Sequence, residues 1–214
     1  MELYYLPCSA PCRAVQMTAA ALGIELVLHE LPIMNGEHRR PDFLKISPQH
    51  SIPTLKDRDL VLWESRAIQI YLVDRYGSSG KPGIGDQLYP SDPVRRAKVN
   101  ERMFFDACIF YHRFVEYYHE QVFGGLAGKN DKLAELEEAV KMLDMFLDGQ
   151  PYVVTGEAMT IVDLNILATV ATMSALGFDL TRYQNVNEWY KHMKDVAPGS
   201  KLNEAGAKAF GEYR

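Results

Sequence analysis

Apolar positions change their spacing along the first third of the chain. Leu3-Tyr4-Tyr5-Leu6 is a short continuous apolar run, as expected of a buried strand. Helical spacing follows from Pro11 to Leu22. Proline suits a first helical residue because its missing N–H costs nothing there, and Gly23 suits the left-handed residue after a helix. Glu25 to Leu31 reads as a second strand. A polar stretch, Asn35 to Arg40, interrupts the pattern, and Pro41 opens a short helix. Thr54-Leu55-Lys56 and Leu60-Val61-Leu62 flank Asp57-Arg58-Asp59 as a hairpin. A helix from Ser65 to Tyr76 ends at Gly77. The order β-α-β then β-β-α predicts a parallel pair with a right-handed crossover, an antiparallel hairpin, and helices on the faces of one small mixed sheet.

Ser78 to Pro90 holds Gly80, Pro82, Gly83 and Gly85 and reads as a linker. From Pro93 onward the pattern is almost wholly helical. Asp92 is placed as an N-cap, and the helix extends to Phe123 before Gly124-Gly125. Leu133, Leu136, Val140, Leu143 and Leu147 recur at helical spacing in the next helix, over 131–147. Thr160 and Asp163 form a variant capping box in front of Leu164 to Leu176, a run apolar almost all round and therefore a central buried helix. Trp189-Tyr190 lies in a further helix and Ala205 to Phe210 in a last one. The predicted division is an α+β unit over 1–77, a linker over 78–91 and an all-α unit over 92–214.

Composition narrows the function. With 214 residues and 47% hydrophobic content the chain supports a full core, and a net charge of −5 argues against a general nucleic-acid binder. No run reaches membrane-spanning length, and no basic start or apolar leader is seen; Glu2 and a strand come at once. Three cysteines, Cys8, Cys12 and Cys108, fit a reducing compartment, so the cytoplasm is the expected location. The histidines are dispersed, so no metal site is expected. Gly80 to Gly85 lacks the Lys-Ser/Thr of a phosphate loop.

The chemistry concentrates at two junctions where a strand hands over to a helix. One is Pro7-Cys8-Ser9-Ala10-Pro11-Cys12-Arg13, the other Trp63-Glu64-Ser65-Arg66. A helix N-terminus carries unpaired N–H groups and partial positive charge. Two such ends, each with a serine, suggest a site for a small anionic ligand, with the Ser9 hydroxyl as a donor. For an isolated Ser-x-Pro, a plain helix cap would be the favoured reading.

Tyr4-Tyr5-Leu6-Pro7-x-Ser9-Ala10-Pro11-Cys12-Arg13, Gly36-Glu37-His38, Pro48-Gln49-His50-Ser51-Ile52-Pro53-Thr54, Trp63-Glu64-Ser65-Arg66 and Tyr183-x-Asn185-Val186-x-x-Trp189-Tyr190 stand in order along the chain. Together they resemble the cytosolic glutathione transferases, specifically the insect delta class, with the epsilon class as near alternative. The resemblance covers essentially the whole chain. It implies a thioredoxin-like first domain, an all-helical second domain, a homodimer, and glutathione as cosubstrate with no tightly bound cofactor. The implied activity is conjugation of the glutathione thiolate to hydrophobic electrophiles in xenobiotic detoxification, with dehydrohalogenase or peroxidase side activity. A non-catalytic protein that sequesters apolar ligands on the same fold is the alternative. An assembly domain is a third reading, disfavoured by the completeness of the site.

The resemblance also implies roles. Ser9 donates to the glutathione sulfur and favours its ionised form. Glu64 pairs with the ammonium, Ser65 and the helix N–H groups receive the γ-glutamyl carboxylate, and Arg66 adds a fork-shaped cation. The Ile52 backbone meets the cysteinyl amide beside Pro53, which resembles the family's cis-proline, although trans is the base-rate expectation for such a bond. His38 and His50 fall near the glycine end, with His50 the stronger assignment. Pro11, Ile33, Ala107, Tyr111, Phe114, Tyr118, Phe123 and Phe210 are candidates for the hydrophobic substrate, though an aromatic stripe at helical spacing is more often core. Cys8 stands where the class commonly has a small residue. Its Cys-x-x-x-Cys spacing with Cys12 is one residue too long for a disulfide-exchange motif, so thiol exchange stays a minor alternative to Ser9. Asp163 reads as structural, a partner of Thr160 in the cap.

Overall fold

The computed structural model describes residues 1–123, 129–154, 156 and 158–212, with backbone alone at 119, 120 and 123. Four strands form one sheet in the order β2-β1-β3-β4: β1 is Glu2–Tyr5, β2 Val27–Glu30, β3 Thr54–Asp57 and β4 Leu60–Trp63. β1 runs parallel to β2, with Leu3 opposite Leu28, and antiparallel to β3, with Leu3 opposite Leu55. β3 and β4 pair as the expected hairpin, with Leu55 opposite Leu62. Leu3 and Leu55, both fully buried, lie on the two central strands, whereas Val27 and Leu28 of β2 are exposed at the edge.

The first helix, α1 (Ala10–Leu22), crosses from β1 to β2 and is buried along most of its length. It can be so because it packs against α3 (Ser65–Tyr76) within the sheet unit and against α8 (Ile161–Ala175) and α10 (Ser200–Gly211) from the helical part. α2 (Pro41–Leu44) is the single turn expected at Pro41. Gly23 ends α1 in the left-handed region at φ 70°, as its position predicts.

The stretch over 78–90 differs from a plain linker, because Ile84–Leu88 form a short helix, α4. Two of its glycines, Gly80 and Gly85, serve packing. A Cβ on Gly77 would lie 2.7 Å from the Cα of Gly85, so the two backbones meet where no side chain fits.

The expected long helix is present as α5 (Pro93–Phe105) and α6 (Tyr111–Phe123), joined by a π-helical segment, Asp106–Phe110. The Asp92 carboxylate caps its start by accepting from the Arg95 N–H at 2.8 Å. The expectation that Gly124-Gly125 end it falls outside the described residues. α7 (Asn130–Phe146), α8, α9 (Gln184–Val196) and α10 complete the bundle. The last helix begins five residues before the apolar run at Ala205 that marks it in the sequence, because its first turn is polar.

α8 is buried on every side from Ile161 to Met173, and its start carries the predicted capping box. Asp163 accepts from the Thr160 N–H (2.8 Å) and Thr160 hydroxyl (3.1 Å) with one oxygen, and from the Val153 N–H (2.9 Å) and Trp189 indole (3.3 Å) with the other. Among the described residues no helix is long and apolar enough to cross a membrane.

Candidate active site

Ser9 is the N-cap residue of α1, in extended conformation, yet its side chain makes no cap hydrogen bond. The plain-cap reading therefore lacks its defining bond. The backbone alone fixes the turn: the Ser9 N–H donates to the Leu6 carbonyl (3.1 Å), and the Arg13 N–H donates to the Ser9 carbonyl (3.0 Å). Burial pushes the Cys12 thiol up to about 12, against the opposing pull of the neighbouring Ser9 hydroxyl. Burial likewise pushes up the Cys8 thiol. Both are free cysteines held as thiols at neutral pH, and a thiol is a poor nucleophile.

The second junction carries backbone strain at Glu64, and the loop before it at His50. Glu64 precedes α3 with φ 70°, and His50 has φ 47°; both are L residues in the left-handed region. The Gln49 side-chain amide donates to the Glu64 carboxylate at 2.7 Å. Ser65 is buried at the first turn of α3. The Ile52–Pro53 bond is cis, as in the family pattern, and Ile52 has no backbone hydrogen-bond partner among the described residues. The His38 and His50 rings lie 6.0 Å apart, so the two histidines do converge. Burial, then Arg39 and His50, hold the His38 imidazole below its usual value.

Arg66 directs its fork at the helical part. Its Nε and Nη2 donate to one oxygen of Asp106 at 2.9 and 2.6 Å, its Nη1 donates to the Ser65 hydroxyl at 3.3 Å, and its guanidinium lies 5.0 Å from the Tyr111 ring centre. Burial would lower the Arg66 guanidinium, but the Asp106 carboxylate outweighs it and holds the group above its usual value. Burial holds Asp106 itself above the ordinary carboxylate range, with Arg66 pulling the other way.

A cavity of about 190 Å³ opens beside Ser9. Five of the expected side chains meet Ser9 there: Ile33, Tyr111, Phe114, Tyr118 and Phe210. Leu6, Cys8, Ala10, Met34, Val115 and Thr172 also line it. Phe114 and Tyr118 are only 4% exposed, so they are core and cavity wall at once. Pro11 and Ala107 are not among the lining residues. The wide turn at Asp106–Phe110 breaks the 3.6-residue register, so the i, i+4 spacing of Ala107 and Tyr111 does not set them on one face. The side chain of Phe123 lies outside the described residues. Burial pushes the Tyr111 hydroxyl up to about 12, which keeps it a donor.

Sequence reasoning missed Asp106, forty residues from its partner; its only signal is an acid inside an otherwise aromatic helix face. It also missed Thr172, hidden in an apolar run.

Comparison with known proteins shows what the chain as a whole is similar to. The family described as "Glutathione S-transferase, N-terminal domain" matches residues 3–82. Glutathione S-transferase 2 of Anopheles gambiae is 47% identical over 214 residues, all of both chains. A delta-class glutathione transferase of Nilaparvata lugens is 45% identical, superposes with a TM-score of 0.92, and is matched over 99% of this chain and 97% of its own. A glutathione transferase homologue from Drosophila mojavensis, solved with bound glutathione, is 30% identical with a TM-score of 0.90, over 99% and 94% of the two chains.

Proposed function

Because the chain belongs to the glutathione S-transferase family, and is a glutathione transferase whose relatives include an insect delta-class enzyme, we propose that Ser9 activates the glutathione thiol in it. Glutathione is the cosubstrate. The observation that carries the proposal is the uncapped Ser9 hydroxyl at the wall of an apolar cavity. A hydroxyl donating to sulfur, with the partial charge of the α1 terminus behind it, favours thiolate over thiol. The thiolate then forms a carbon–sulfur bond with an electrophile while the leaving group departs with its electron pair. The thiol proton passes to solvent.

In this reading Glu64, Ser65 and the α3 terminus hold the γ-glutamyl end, with Arg66 bracing them through Ser65. Ile52 beside Pro53 takes the cysteinyl amide, and His38 and His50 stand at the glycine end. Tyr111, Phe114, Tyr118, Ile33 and Phe210 receive an apolar electrophile, and dehydrohalogenation or peroxide reduction would use the same thiolate. Residues 1–77 act as the glutathione-binding unit, 78–91 as the connection and 92–214 as the unit supplying the second wall. A homodimer in the cytoplasm completes the proposal. The odd number of cysteines supports the compartment.

Ser9→Ala tests it with an aryl halide substrate and the thiolate absorbance of bound glutathione against pH. Turnover should fall by roughly 100-fold, as for loss of one preorganised donor to a developing anion. The bound thiol's pKa should rise, with the glutathione KM nearly unchanged. Wild-type turnover with an unshifted thiol titration would overturn the role. A large loss in Cys8→Ser beside a mild Ser9→Ala would move the chemistry to thiol exchange.

A further inference from the structure

Arginine is among the residues least often fully buried without a carboxylate partner. Arg13 is 0% exposed, and every acceptor it meets is neutral. Nη1 donates to the backbone carbonyl and, at 3.0 Å, to the side-chain oxygen of Asn203 on α10. Nη2 donates to the Ala168 carbonyl at 3.0 Å and to the Thr172 hydroxyl, both on α8. Nε has no partner among the described residues. The titratable groups around the guanidinium include Cys8, Cys12, Glu204, Tyr111 and Tyr190. Glu204, which also accepts from the Tyr190 hydroxyl at 2.9 and 3.1 Å, is the carboxylate among them and favours the cation without bonding it; Cys8, Cys12 and Tyr111 stay protonated at neutral pH. Burial draws the guanidinium down to about 10, so it remains a cation.

Its backbone belongs to the Ser9 turn, since the Arg13 N–H closes the first turn of α1 on the Ser9 carbonyl. Its stem fills the space left by Gly206 on α10. A Cβ there would lie 2.5 Å from Arg13 Cδ and 2.3 Å from the Pro7 carbonyl oxygen. α10 is thereby seated directly on the turn that presents Ser9. Thr172 lines the electrophile cavity and so does Phe210 of α10, so the same guanidinium reaches both helices of the far wall.

We propose that Arg13 is a positioning residue for thiol activation: it locks the Ser9 turn in register with the α8–α10 wall and sets behind that wall a buried positive charge that favours glutathione's thiolate. The inference rests on the Ser9 reading. A buried cation with only neutral hydrogen-bond acceptors among the described residues favours an anion formed nearby over its neutral form. Charge and register therefore act in the same direction.

Arg13→Gln removes the charge and Arg13→Lys keeps it without the fork. In Arg13→Gln the bound thiol's pKa should rise by on the order of one unit and kcat should fall at least tenfold. The glutathione KM should stay within about threefold, because the peptide ends are held elsewhere. Arg13→Lys should restore most of the thiol titration. If Arg13→Gln does not fold, Thr172→Val, nearly isosteric, removes one acceptor. It should lower kcat severalfold at constant glutathione KM, with recovery in Thr172→Ser. A merely structural arginine predicts lower thermal stability with the thiol titration and kcat of Arg13→Gln and Thr172→Val at wild-type values, and that result overturns the proposal. An unshifted thiol titration in Ser9→Ala would instead remove its premise. A shift in Ser9→Ala with none in Arg13→Gln would remove this proposal alone.

Discussion

Asp163 and Asp106 are equally buried, both at 0% exposure, and they are built for opposite ends. Asp163 sits at the start of α8 with both oxygens occupied by four donors, two of them backbone N–H groups and one an indole. Asp106 sits in a π-helical turn and accepts two bonds from Arg66 on one oxygen, and its other oxygen has no partner among the described residues. Burial raises the pKa of both, but only Asp163 is answered from several directions. The first carboxylate knits a loop, a cap and α9 into one core. The second ties the base of α3 to the long helix through a single cation that also touches Ser65. Full satisfaction marks a structural acid; partial satisfaction at a domain junction marks one whose product is the placement of its partner.

The sharpest break of this comparison is Asp163→Ala. It strands buried donors that can find no water, at roughly 1–3 kcal/mol each, so a total loss of about 3–5 kcal/mol is expected. Thermal unfolding should show it, while the folded fraction binds glutathione as the wild type does. If stability changed little, the structural assignment would fail. Asp106→Asn should do the reverse. Its melting temperature should drop modestly, and the KM for glutathione should rise roughly tenfold, the equivalent of about 1.4 kcal/mol in ligand placement. Equal glutathione KM values in variant and wild type would make Asp106 a second structural acid.

The smallest effect is expected at a third carboxylate, Asp57, which accepts from the Tyr71 hydroxyl at 2.7 Å and from the Tyr76 hydroxyl. Burial raises its pKa, but the two tyrosines outweigh that and leave it below the usual value. A lowered folded-state pKa stabilises the fold above the unfolded value of about 4 and is lost as pH falls through the folded one. The melting-temperature gap between wild type and Asp57→Asn should therefore be widest near neutrality and should close below about pH 4. A gap independent of pH would remove the charge from the account.

The contrast also explains what the sequence makes legible. The Thr160–Asp163 box, the Asp92 cap and the β-α-β order rest on interactions within a few residues, and each stands where the pattern places it. The Ser9 and Glu64–Arg66 junctions are local too, which is why the motif carries them. The Arg66–Asp106 pair and the Arg13 bonds to α8 and α10 join positions 40 to 190 residues apart, where periodicity says nothing. The π turn is silent for a related reason, since one residue of extra winding leaves composition unchanged. Gly85, read as a loop residue, misleads in the other direction, for it meets Gly77 backbone to backbone. Glycine is shared by loops and by close backbone contacts, and here it marks contact.

The left-handed backbone of Glu64 has an evolutionary side. At φ 70° this position is congenial to glycine, and an L side chain there is held at a cost of about 1–3 kcal/mol. Random drift under selection for robustness alone would discard the carboxylate and keep the bend. A laboratory screen for heat tolerance would do the same, enriching sturdier chains that, on the proposed role of Glu64, no longer recognise the cosubstrate's amino end. If Glu64 holds the cosubstrate's ammonium as proposed, a glutamate at this bend trades scaffold stability for ligand recognition.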